Sequence, residues 1–322
     1  MPVALLVLGL LVPPVLLGVA NYLCTVAIDR RYRGFESDEI PEVPASDPPW
    51  IARQTFEVLR IRSHDGLWLQ GYYLAAPRPT NRVAIVAHGY RGNALRDMGE
   101  WAQLYHDRLG YNVLLPDARA HGASEGRYIG FGWLERKDML RWIGLMVDRH
   151  GADAAIVLHG LSMGAATVMM TAGEELPSQV RCVIEDCGYT SVIDELSHQL
   201  RQMYHLPPFP LMPLASRICR LRAGYTFEEA SALDQLRRAS TPVLFIHGGA
   251  DSFVPTGMVY RLHEACAAPK ALLVVPDAGH AMAIFDAPER YARTVEAFVA
   301  RWLDARTGTA PSHAIAAPAD AG

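Results

Sequence analysis

This sequence predicts an α/β domain built on a mostly parallel, eight-stranded sheet flanked by helices, and three observations lead there. Six short apolar runs alternate with helix-length stretches, the rhythm of βαβ units whose strands are buried on both faces. Ahead of them, two runs of alternating character flank an Asp-Gly turn, which is a hairpin signal. Half of the 322 residues are hydrophobic and the formal net charge is −4, so a large core is available and a polybasic nucleic-acid binder is excluded.

The chain opens with residues 2–28, which carry no charge and are almost wholly aliphatic over 3–20. That is long enough to cross a hydrocarbon core of about 30 Å, so residues 1–28 are expected to form a transmembrane helix that anchors the protein in a membrane. A cleaved signal segment is the rival. Gly18-Val19-Ala20 would supply its cleavage site, but a basic n-region is missing. Pro13 and Pro14 would kink the helix without cancelling it. Because Arg30, Arg31 and Arg33 follow the apolar run, the positive-inside rule predicts a single-pass protein with its domain on the cytoplasmic side, a secreted or cell-surface domain being the alternative.

Residues 29–50 are acidic and Pro-rich, which predicts a linker. A single domain is then expected over 51–305 and a disordered Ala/Pro/Ser/Thr tail over 306–322. In the domain the hairpin strands fall at 55–62 and 67–74, turned by Ser63-His64-Asp65-Gly66. The parallel strands fall near 83–87, 113–115, 155–158, 180–184, 243–246 and 272–275. An apolar, Pro-rich run at 206–213, within 189–239, breaks the rhythm and predicts a small lid. The five cysteines, Cys24, Cys182, Cys187, Cys219 and Cys266, show neither a CxxC pair nor metal-ligand spacing. They read as buried thiols, and no metal site is expected.

Ligand sites of open α/β sheets gather at the carboxyl ends of the strands, and the polar residues there form a pattern. A buried strand runs into Gly160-Leu161-Ser162-Met163-Gly164 and then into a small-residue helix start. As a bare pattern G-x-S-x-G is common, but between a strand and a helix it describes a sharp turn that presents a serine at a helix N-terminus. A serine needs a base. Of twelve histidines, His280 follows the last strand through Pro276-Asp277-Ala278-Gly279, whereas His106, His150, His198 and His263 lie in helix-like stretches, His64 in a turn and His313 in the tail. Asp251 follows the preceding strand through His247-Gly248-Gly249-Ala250, giving the chain order Ser, Asp, His. Asp186 is the fallback acid, Glu185 and Asp277 are lesser rivals, and His247 is expected to support the loop. An oxyanion needs two preset donors. The backbone N–H groups of Met163, just after the serine, and of Tyr90, in the loop after the first parallel strand, are the candidates.

These residues carry a resemblance. With His88-Gly89, Val254-Pro255, Gly279-His280 and the loop Asp117-Ala118-Arg119-Ala120-His121-Gly122-Ala123-Ser124-Glu125-Gly126, the sequence resembles the α/β-hydrolase superfamily, in particular its serine-esterase, monoacylglycerol-lipase and serine-aminopeptidase-like members, over about 55–304. Ala120 departs from the commoner form of that loop, where Gly often precedes the His. The resemblance implies an α/β-hydrolase fold and catalysis without metal or cofactor. Ser162, Asp251 and His280 would form a catalytic triad working through a covalent acyl-enzyme. It implies carboxylic ester hydrolysis, and leaves amide hydrolysis of the serine-aminopeptidase kind and acyl transfer open. Leu206, Phe209, Leu211 and Met212 in the lid suggest binding of a small-molecule or lipid-like acyl ester.

Overall fold

Strand by strand, alternate residues enter two different cores. In β3 (Arg82–Ala87) Val83 and Ile85 join one hydrophobic cluster and Ala84 and Val86 the other, all of them buried. In β7 (Val243–Gly248) Val243 and Phe245 part from Leu244 and Ile246 in the same way. Side chains of a strand point alternately to its two faces, so a strand apolar at every position must be covered on both.

The computed structural model describes residues 2–32 and 49–303, with side chains from residue 13 onward. The remaining strands are β1 (Glu57–Arg62), β2 (Trp68–Leu74), β4 (Asn112–Pro116), β5 (Ala155–Leu161), β6 (Val180–Asp186) and β8 (Lys270–Val275). They form the expected eight-stranded sheet, in the order β1-β2-β4-β3-β5-β6-β7-β8. β2 pairs antiparallel with β1 and β4, and from β4 to β8 every pairing is parallel. The hairpin turn closes through Ser63 N–H to Leu67 O at 2.9 Å, with Gly66 at φ +92°. β5, β6 and β7 run further at their carboxyl ends than the apolar pattern suggests. His159, Glu185, Asp186 and His247 stay in the ladder because pairing uses backbone groups, whatever the side chain.

One cluster packs helices α1 (Pro2–Ile28), α4 (Glu135–His150), α5 (Met163–Ala172), α6 (Val192–Tyr204), α7 (Pro208–Ala223), α8 (Ala232–Leu236) and α9 (Gly257–Ala265). The other packs α2 (Ala94–Asp97), α3 (Gly99–Gln103), α10 (Ala283–Asp286) and α11 (Pro288–Leu303). The stretch 189–239 folds as α6, α7 and α8, the first and last begun by Ser191 and Ser231, whose hydroxyls accept the N–H of Asp194 and Asp234. All five cysteines are free and buried.

The N-terminal expectation is corrected. Among the described residues no helix is long and apolar enough to cross a membrane. A helix does form over Pro2–Ile28, but Ala20, Leu23, Cys24, Ala27 and Ile28 are buried in the protein core. Apolar composition does not distinguish lipid from the face of another helix, and here that face is α7, whose Arg222 reaches Thr25 Oγ1 and Asn21 Oδ1. Nor do residues 29–32 hang free as linker: Asp29 is buried, paired with Arg31 and Arg127, and bridged through its backbone to Tyr128. Arg30 donates to the carbonyls of Ser124, Gly122 and Gly126. Trp50 and Ile51 are buried beside α3. Arg33, the rest of the linker up to residue 48 and the tail 306–322 lie outside the described residues.

Candidate active site

At the end of β5 the chain must leave the sheet and start a helix at once. Ser162 makes that turn with φ +55° and ψ −113°, a strained backbone for a residue with a side chain. Two glycines make room for it. A Cβ on Gly160 would fall 2.1 Å from the Gly164 carbonyl oxygen, and one on Gly164 would fall 2.1 Å from that of Ala87. Ser162 N–H donates to the Asp186 carbonyl at 2.8 Å, tying the turn to the neighbouring strand.

The three residues read from the sequence meet here. Ser162 Oγ lies 3.0 Å from His280 Nε2, and His280 Nδ1 lies 2.8 Å from Asp251 Oδ2. With Nδ1–H donated to the carboxylate, Nε2 is left as the acceptor for the serine hydroxyl. Asp251 Oδ1 accepts Val254 N–H at 2.8 Å. His247 Nε2 sits between the Val254 carbonyl at 2.9 Å and Asp251 Oδ2 at 3.2 Å, which is the loop-supporting place expected of it. Burial pulls the Asp251 carboxyl up, but the hydrogen bonds from His247 and His280 prevail and hold it at about 2. For His247 burial works downward, and Asp251 overcomes it and raises the imidazole. The Phe253 ring packs on His280 with centroids 4.9 Å apart. Its closeness to Asp251 in sequence was the only signal for it.

The fallback acid is engaged elsewhere. Asp186 Oδ2 accepts the Tyr291 hydroxyl at 2.8 Å and Trp101 Nε1 at 3.4 Å, and Tyr291 leads through His159 to Tyr105 in a buried chain with 3.0 Å steps. Burial raises Asp186 to about 6 and Glu185 to about 8, and lowers His159 to about 3. Asp277 is exposed.

Met163 opens α5, where first-turn N–H groups have no intrahelical acceptor. Tyr90 follows Gly89, whose Cβ position would lie 3.5 Å from Ser162 Cβ, so this loop runs against the nucleophile turn. Two neutral imidazoles hold it. His88 accepts Ala118 N–H at 3.0 Å and donates to Gly89 O at 2.8 Å, and His121 accepts Arg91 N–H at 3.0 Å and donates to Arg119 O at 2.8 Å. Burial, helped by His88, lowers His121 to about 3. His121 was legible only as part of a loop resembling a family pattern.

The four lid residues do not act as a set. Leu211 and Met212 are buried in the core, Leu206 packs partly against it, and Phe209 is 78% exposed. Met212 lines a small apolar cavity with Leu23, Cys24, Leu196, Leu200 and Phe227. Among the described residues two groups bring metal-type donors together, Cys187 with Asp251 and His280, and His64 with Asp65 and Asp138. In the first the thiol is pushed well up by burial. In the second Arg119 already pairs with both carboxylates.

Residues 84–294 match the family described as the alpha/beta hydrolase family. The chain belongs to that family. Over 239 residues this hydrolase is 34% identical to YqkD of Bacillus subtilis (strain 168), covering 74% of this chain and 77% of that protein. To YfhR of Escherichia coli (strain K12) it is 26% identical over 246 residues, 74% of this chain and 76% of the relative. Among solved structures it is similar to the Pyrococcus furiosus esterase Pf2001, with a TM-score of 0.64 and 24% identity over 82% of this chain and 99% of that one. It is also similar to an acetyl xylan esterase from Paenibacillus sp. R4, with a TM-score of 0.57 and 18% identity over 81% and 97% of the two chains. Both likenesses speak for the shared fold.

Proposed function

We propose that this hydrolase cleaves a carboxylic ester through a covalent acyl-enzyme, with Ser162 as nucleophile, His280 as general base and Asp251 as the group that orients and stabilises the imidazolium. The observation that carries the reading is the unbroken relay of 3.0 Å from Ser162 Oγ to His280 Nε2 and 2.8 Å from His280 Nδ1 to Asp251 Oδ2. His280 takes the hydroxyl proton as Oγ attacks the carbonyl carbon. The tetrahedral oxyanion rests on the N–H groups of Met163 and Tyr90, the first aided by the α5 dipole. As the ester C–O bond breaks, His280 returns the proton to the leaving alcohol. A water then repeats the sequence, giving its proton to His280 and its oxygen to the acyl carbon, and frees the acid and Ser162. The structural neighbours Pf2001 and the Paenibacillus enzyme are an esterase and an acetyl xylan esterase, which agrees with an ester substrate.

Covalent labelling tests the assignment. An alkyl fluorophosphonate should add one adduct to the full chain, mapped by peptide mass spectrometry to Ser162. It should not react with Ser162→Ala, and should react with His280→Ala at least about a hundredfold more slowly, since the base is lost. An adduct on another serine, or an undiminished rate without His280, would remove the basis of the reading.

A further inference from the structure

The carboxyl end of α1 is closed by the loop that carries Tyr90. The last carbonyls of an α-helix lack intrahelical donors. In α1 the Thr25 and Ile28 carbonyls accept the backbone N–H groups of Asp29 at 3.0 Å and Ile129 at 2.8 Å. The two between them are taken by consecutive residues of the loop: Val26 O by Arg91 Nη2 at 3.1 Å, and Ala27 O by the Tyr90 hydroxyl at 2.8 Å. The guanidinium reaches on to the carbonyls of Asp29 at 3.1 Å, of Arg30 at 3.2 Å, and of Tyr32. A cation at this helix end also suits the dipole.

The same residue has an unusual backbone. Arg91 sits at φ +59°, a region that a long side chain occupies when its surroundings hold it there. What holds it is Val26 and the residues just after α1 on the side-chain end, His121 on the N–H end at 3.0 Å, and Arg96 Nη2 on its carbonyl at 3.1 Å. The Tyr90 ring is fixed too, stacked on Phe131 with centroids 5.0 Å apart and planes 19° apart. The peptide between Gly89 and Tyr90 is thus suspended between the Ser162 turn, whose Cβ lies 3.5 Å from the place a Gly89 Cβ would take, and the end of α1.

We propose that Arg91 is a positioning residue for turnover: by gripping the carboxyl end of α1 beside the Tyr90 hydroxyl, it holds the Tyr90 amide where the oxyanion forms. The proposal rests on the oxyanion role given to Tyr90 above. Loss of one oxyanion donor costs about 10²–10³ in kcat, and a misplacement near 1 Å about 10²-fold. A latch that merely anchored α1 would change stability and leave the chemical step alone. A latch that sets the amide changes kcat with little effect on KM, because the ground-state carbonyl depends less on that donor than the oxyanion does.

Full-length Arg91→Asn and Arg91→Gly separate the two cases. Both residues accept a positive φ, and neither reaches the α1 carbonyls. Tyr90→Phe removes the hydroxyl's bond to Ala27 O and its contact with the Arg91 guanidinium, and keeps the aromatic ring and the Arg91 side chain. Hydrolysis of a nitrophenyl acyl ester is measured per serine titrated with fluorophosphonate, beside the inhibition constant of a trifluoromethyl ketone, whose hemiketal oxyanion needs the same donors. The Arg91 variants should lose about 10- to 100-fold in kcat with KM within about twofold, and should bind the ketone more weakly by a similar factor. Tyr90→Phe should show the same split at about threefold to tenfold. Unchanged kcat per titrated site, with or without a fall in melting temperature, would overturn the proposal, as would a rise in KM alone. Wild-type hydrolysis that survives Ser162→Ala would instead defeat the catalytic reading, and this shows before any Arg91 variant is compared.

Discussion

Replacing Asp251 by Asn leaves the size of the side chain and removes its charge. In the native protein Oδ2 accepts His280 Nδ1–H at 2.8 Å, with His247 Nε2 at 3.2 Å, while Oδ1 accepts Val254 N–H at 2.8 Å. An amide can satisfy Val254 with its oxygen only by turning its NH2 toward His280, which then carries its proton on Nε2 and cannot accept from Ser162. By analogy with other triads the cost is about 10⁴ in kcat, or about 5.5 kcal/mol, with little change in KM. Stability changes as well. The carboxyl, ordinarily near 3.8, is held at about 2 by its histidine partners, which is worth about 2 kcal/mol in the folded state. Because the folded value is depressed, this contribution is present above pH 4 and is lost as the pH falls from about 4 through 2. Asp251→Asn should therefore unfold more easily in urea at pH 7, and its stability should fall less steeply below pH 4. Ester kinetics and denaturation of both proteins, with Asp186→Asn beside them, make the assay. An Asp251→Asn protein keeping more than a tenth of wild-type kcat, or a larger loss in Asp186→Asn, would refute the assignment.

Other consequences follow from the same contacts. Gly164→Ala places a Cβ 2.1 Å from the Ala87 carbonyl oxygen. Backbone must move, so a loss of about 2 kcal/mol or more in urea unfolding and a collapse of activity are expected. Arg119→Met leaves the buried Asp138 carboxylate without the partner that now contacts it at 2.6 Å. It should cost about 3–5 kcal/mol in chemical denaturation while the activity per folded molecule holds. Glu185, raised by burial to about 8, binds a proton in the fold that the unfolded chain gives up near pH 4.5, so stability should fall between pH 5 and 9. Glu185→Gln should flatten that fall when melting temperature is followed across the range.

How much of this was legible depended on what each residue had to do. Ser162, Asp251 and His280 stood out because strand ends in a parallel sheet lie along one edge, so three polar residues after three different strands must converge. Asp186 satisfied the same criterion, and what separates the two is their partners: Asp251 Oδ2 lies 2.8 Å from His280 Nδ1, whereas Asp186 Oδ2 takes Tyr291 and Trp101. The destination of the N-terminal helix was hidden, because Leu23, Ala27 and Ile28 are as suited to a hydrocarbon core as to the face of α7. The contacts of the basic residues after it were hidden as well: Arg30 donates to loop carbonyls and Arg31 pairs with the buried Asp29 from the surface. Leu211 and Met212 read as substrate contacts because an apolar run in an irregular segment has the composition of a binding surface, yet these two are buried in the core while Phe209 of the same run is exposed. Arg91 gave no signal at all, since its partners are backbone carbonyls some sixty residues away, which no side-chain pattern records.

The most direct test of the central claim is hydrolysis of a nitrophenyl acyl-ester series, from acetyl to long chains, by the full chain beside Ser162→Ala at equal folded concentration. Turnover that begins with a burst of nitrophenol matching the titrated serine, and that falls by several orders of magnitude in Ser162→Ala, is the predicted result, with the preferred acyl length defining the substrate class. A folded protein that hydrolyses none of the esters, or a Ser162→Ala protein that hydrolyses them as fast, would contradict it.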